Sequence, residues 1–104
     1  KADLAVPYES PVHYNGNDAI AIFGIDGSGN FTVIMDVIGV QSSDPGPAGW
    51  NVAGVTGATK DHTLVRKSSI NKGNTNWENS AGTSASDSEW EVKDVDDWTS
   101  LGTR

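Results

Sequence analysis

Two apolar runs separated by a glycine-rich gap dominate the first half of the chain. Residues 18–23 read DAIAIF, residues 31–40 read FTVIMDVIGV, and GIDGSGN lies between them with Gly24, Gly27 and Gly29. Short runs rich in Ile, Val and Phe around such a turn predict a β-hairpin. Side chains alternate along a strand. Phe31, Val33, Met35 and Val37 are therefore expected on one face, with Thr32, Ile34, Asp36 and Ile38 on the other. The second face is mixed, which predicts a sheet that is only partly covered.

Around this hairpin the pattern is weaker. Residues 1–13 carry Pro7 and Pro11, and each proline biases its predecessor to extended geometry, so an extended or edge segment is expected there. Asn15-Gly16 then reads as a turn. Residues 41–50, QSSDPGPAGW, form a loop punctuated by Pro45 and Pro47, and residues 51–61 show little periodicity. HTLVRK (62–67) alternates again and predicts a third strand, with Leu64 and His62 turned to the core and Arg66 and Lys67 reaching acidic loops. The polar stretch 68–88 is too long for bare loop in a compact domain. It is expected to wrap a sheet edge, pinned by Ile70 and Trp77. EWEV (89–92) supplies a short last strand with Glu89 and Glu91 outward and Trp90 and Val92 inward. Trp98 and Leu101 are expected to anchor the end, Trp98 as a plug beneath the sheets. No repeat and no amphipathic helix of three turns is visible. The pattern predicts a single all-β domain over residues 1–104.

Composition narrows the function. Seven Lys+Arg against 14 Asp+Glu give a formal charge of −7, which opposes binding to a phosphate backbone or an anionic membrane surface. No Cys is present, which excludes disulfides, thiolate metal sites and thiol nucleophiles. No apolar run approaches the ~20 residues that span a bilayer. The first residues, KADLAVPYES, lack the apolar stretch of a signal peptide and begin with Lys, as expected of a processed chain or a fragment.

The strings NGNDAIAIF, MDVIGV, DPG, HTLVRK, SEWEV and SLGTR occur in that order over residues 14–104. In this order they resemble the lamin-tail domain in its bacterial, secreted-protein form. The resemblance implies an immunoglobulin-like β-sandwich that acts as a non-enzymatic interaction module in an exported or surface protein. It implies a protein or cell-surface partner. The extended strands and the Leu-x-Gly-Tyr segment that open the family pattern have no counterpart before Tyr14. Either residues 1–13 stand in for them, or the first strands are missing and a sheet edge is exposed.

Candidate chemistry is sparse. Residues 60–69, KDHTLVRKSS, gather an acid, an imidazole, three hydroxyls and three cations. On a strand, however, Asp61 and His62 point to opposite faces, and Ser68 and Ser69 lie about 20 Å further on. A local triad is excluded, and no Gly-x-Ser-x-Gly elbow occurs. GIDGSGN matches part of a calcium loop, but Gly24 and Met35 stand where the first and last ligands belong. Asp87, Glu89, Glu91, Asp94, Asp96 and Asp97 fall within eleven residues. A solvated acidic face explains them, with calcium at Asp94, Asp96 and Asp97 as the alternative. His13 and His62 lack metal-ligand spacing. Trp50 and Trp77, in Gly/Asn/Pro-rich loops, read first as loop anchors and, as the alternative, are the candidates for a contact surface. The expected function is therefore protein–protein or surface attachment without catalysis. A carbohydrate-binding or calcium-dependent adhesion module using the loop tryptophans is the alternative, and a small hydrolase using the acidic cluster ranks third.

Overall fold

A computed structural model describes residues 14–102. The extended segment expected over residues 1–13, with His13, lies outside the described residues. Four strands and one helical turn follow in chain order: β1 (Ile20–Ile25), β2 (Phe31–Ile38), β3 (Thr63–Arg66), α1 (Trp77–Ala81) and β4 (Trp90–Lys93). β1 pairs with β2 and β3 with β4, both antiparallel, forming two separate two-stranded sheets. The described residues are all-β with one short helix.

The hairpin forms where the apolar runs predicted it. Its turn is organised by Asp26, whose Oδ1 accepts from the Ser28 and Asn30 amides at 2.8 and 2.9 Å. This is a side-chain-closed turn, and it explains the Asp-Gly-Ser-Gly-Asn string without a cation. The faces differ from simple alternation. Ala21 pairs with Val37, Phe23 with Ile34 and Ile25 with Phe31, with register shifts between these pairs. Each shift leaves an extra residue on β2, and each extra residue exchanges the two faces of that strand. Directly paired residues share a face. Ala21, Phe23 and Ile25 therefore lie with Val37, Ile34 and Phe31, and the expected face of Phe31, Val33, Met35 and Val37 is broken up. The Phe23 and Phe31 rings meet at 5.3 Å.

The core lies away from this hairpin. Val52, Ala58, Trp77, Ala81 and Trp90 are buried, with Trp50, Leu64, Val92, Val37 and Ile38 packed around them. Trp77 is the centre of an aromatic row, 6.5 Å from Trp50 and 6.4 Å from Trp90. Helix α1 brings it there. Asn76 caps the helix by accepting from the Asn79 amide at 3.0 Å, and Gly82 ends it with φ +64° while its amide returns to Glu78. Asn before and Gly after are ordinary start and stop signals. The polar stretch 68–88 is thus ordered by one turn of helix. Trp90 is inward as expected. Trp98 is 67% exposed and plugs nothing, because the core closes around Trp77 instead.

Candidate functional site

The interior polar groups converge on Arg66. Its side chain is 9% exposed and lies between β2 and β4. Nη2 donates to Asp36 Oδ1 at 2.9 Å, and Nη1 donates to Glu89 Oε2 at 3.1 Å and to the Lys72 carbonyl at 3.2 Å. The guanidinium carbon also sits 4.3 Å from the centre of the Trp90 ring, a cation–π geometry. Both acids are tied elsewhere too. Asp36 Oδ1 accepts from the Val37 and Asn74 amides, and Glu89 accepts from Asn74 Nδ2 and Ser80 Oγ. Ser80, fully buried, in turn accepts from Trp90 Nε1 at 2.9 Å. One planar cation with a fork of donors suits two carboxylates on different strands. Arg66 does reach an acid in a loop, Glu89 just before β4, but the expectation that Glu89 faces outward is corrected: Glu89 turns in, because Arg66 is buried and would otherwise lack a second counter-charge.

Asp36 Oδ1 and both Glu89 carboxylate oxygens are engaged by backbone or side-chain amides, a hydroxyl or the guanidinium, so the cluster is held together as an ion and hydrogen-bond network. In the 60–69 stretch, Asp61 lies in a turn with φ +56°, outside β3. His62 is exposed, not in the core, with Nδ1 3.0 Å from the Lys60 carbonyl. Ser68 and Ser69 are exposed beyond the strand. Lys67 donates to the Ala85 and Ser88 carbonyls, both at 2.6 Å, and fastens the loop after α1.

The acidic string does not converge. Asp87 closes its own loop: its carboxylate accepts from the Ser84 and Thr83 amides and from both hydroxyls. The Ser84 amide, followed by the Thr83 and Ser84 hydroxyls, holds this carboxyl well below the usual range. Asp97 is lowered by the Thr99 hydroxyl first and the Thr99 amide second. Asp26 is lowered chiefly by the Asn30 amide. Among the described residues no group of three or more His, Asp or Glu is placed to hold a metal ion. The alternative of calcium at Asp94, Asp96 and Asp97 thus finds no cluster there.

Of the two candidate contact tryptophans, Trp77 takes the anchoring role and not the contact one. Trp77 is 5% exposed, in the centre of the core, and offers no ring face to a ligand. Trp50 is half-buried against it, and its Nε1 is buried without a partner among the described residues. Burial of Trp77 follows from the Asn76 cap, which turns a polar loop into a helix with one inward face.

Two exposed apolar surfaces remain, the first at Trp98 and Leu101, which were expected to be anchors, and the second on the hairpin, which was expected to be partly covered. Trp98 and Leu101 stand beside the outer side of β3, bounding with Asp97 and Ser100 a groove of about 270 Å³. The hairpin leaves Ile22, Phe23, Ile25, Phe31, Val33, Ile34 and Met35 between 40 and 77% exposed. The signal for the second surface was its length. Eleven apolar positions in 20–38 exceed what a core of five buried residues accommodates.

Comparison with protein-family models, curated proteins and solved structures finds no match. No helix among the described residues is long and apolar enough to cross a membrane.

Proposed function

We propose that the chain is a non-catalytic interaction module of the lamin-tail, immunoglobulin-like type, attaching a larger exported bacterial protein to a protein or surface partner. The ordered strings over residues 14–104 motivate the family. The observation that carries the function is the division of labour between side chains. Arg66, Asp36, Glu89, Ser80 and Asp87 bond to one another or to the backbone, whereas a series of large apolar side chains from Ile22 to Met35, together with Trp98, is left in water. A reactive site needs an available acid, base or nucleophile; a protein-binding surface needs exposed apolar side chains with aromatic anchors.

The test is saturable binding of the labelled chain to intact bacterial cells, before and after the cell surface is stripped by protease. Binding lost on stripping supports a protein partner. Turnover of an ester, phosphate, nucleic acid or glycoside that survives repurification and disappears with one substitution would overturn the reading.

One observation favours a second reading, a carbohydrate-binding module. Trp98 is two-thirds exposed beside a groove edged by Asp97 and Ser100, and an exposed indole stacks readily on a sugar face. Here binding would survive protease, and Trp98→Ala would abolish it without moving the melting temperature.

A further inference from the structure

Among the described residues the outer edge of β1 is open. Its sequence, IAIFGI, contains no charge and no proline, the devices that usually protect an edge strand. Among the described residues, none outside the hairpin forms a backbone hydrogen bond to it. The other edge of the same sheet is occupied. The Val37 amide donates to the Asn74 carbonyl at 3.2 Å, Asn74 returns its own amide to Asp36, and Gly73 lies directly against the Met35 carbonyl. The sheet can therefore accept one added strand along β1, and the segment 73–74 blocks a second along β2.

We propose that the occupant is a second copy of this chain, with β1 pairing antiparallel to β1 of the second copy across a two-fold axis. Three observations select a copy over another partner. Between residues 19 and 35 the only charge is Asp26 at the turn, so two chains of net charge −7 meet through the one long segment where like charges do not oppose. Seven side chains at 40–77% exposure, spread over both faces of the hairpin, leave large apolar surface in water on each side. Pairing along β1 sets the faces of the two hairpins side by side, so each copy covers part of the other's exposed apolar surface. The blocked β2 edge makes the contact isologous and closed, so the product is a dimer with a four-stranded sheet and not a filament. This inference concerns self-association and stands independently of which partner the module attaches to.

The experiment is the molar mass of the full chain by light scattering across about 1 to 200 µM, with amide hydrogen exchange at both limits. A dimer is expected at high concentration, with β1 amides exchanging at least about tenfold more slowly there than at low concentration. Ile22→Lys and Phe23→Lys, on opposite faces of the open edge, should each give a monomer with unchanged tryptophan emission. Val95→Lys, at a residue 59% exposed outside the hairpin, should leave the dimer intact. A monomer at 200 µM would overturn the proposal. So would a dimer insensitive to both β1 substitutions, equal loss with Val95→Lys, slow β1 exchange at every concentration, or open-ended polymer.

Discussion

Arg66 decides more than any other residue. Its side chain faces two carboxylates, which are themselves about one-quarter exposed. Removing one member of a buried ion network leaves uncompensated charge and costs ~3–5 kcal/mol; partial exposure of both acids places the expected loss for Arg66→Ala at about 3 kcal/mol. Arg66→Lys should recover little, because an ammonium cannot present the fork that reaches Asp36 and Glu89 together. Chemical denaturation of both variants measures this, and a loss below about 1 kcal/mol in each would show the network to be dispensable. Asp87 acts through protonation. Its folded pKa is depressed, so its contribution is complete above the unfolded value of about 3.9 and is lost as pH falls through the lower folded value. The stability difference between the native chain and Asp87→Asn should be constant above about pH 5 and shrink below about pH 4. A difference that grows on acidification would contradict the assignment.

At the level of elements, β1 and β2 were legible because their apolar runs are short, rich in Ile, Val and Phe and separated by a Gly-rich turn, and β3 and β4 because polar and apolar residues alternate along them. The hairpin faces were not, because the two irregularities in β2 depend on pairing geometry that leaves no mark in the composition. Helix α1 was hidden in a polar stretch. Only Asn76 and Gly82 signalled it, and five residues are too few for a helical period to appear. The Arg66 cluster had a faint signature, a lone Asp in FTVIMDVI and a lone Arg closing TLVR, but nothing local says that they meet. Trp98 was misjudged for a related reason: it and Trp77 both sit among polar residues, and only the helix cap separates their fates. The loop between sheets carries one further constraint. Gly39 has φ +82°, and a β-carbon there would come within 2.7 Å of the Trp50 indole nitrogen. Gly39→Ala combines backbone strain with a clash against a half-buried ring, and should cost about 2 kcal/mol. Gly27→Ala, in open space at the hairpin turn, is the control, expected within about 0.5 kcal/mol. Equal effects would mean that Trp50 yields freely.

Across the whole molecule, two sheets of two strands are each too small to persist alone. What joins them is the tryptophan row and the polar cluster: Asp36 on β2, Arg66 on β3, Glu89 immediately before β4, and Ser80 on α1. The central claim is that this junction makes one cooperative unit, assembled from side chains alone, with the apolar hairpin and the Trp98 groove left for partners. The most direct measurement is a thermal melt in EDTA, followed at once by tryptophan fluorescence and by circular dichroism, then repeated with excess calcium. Fluorescence reports the Trp50–Trp77–Trp90 row, and dichroism reports the backbone of both sheets. The account predicts one sharp, coincident transition whose midpoint calcium does not move. Separate transitions for the two signals, or a midpoint raised by calcium, would contradict it.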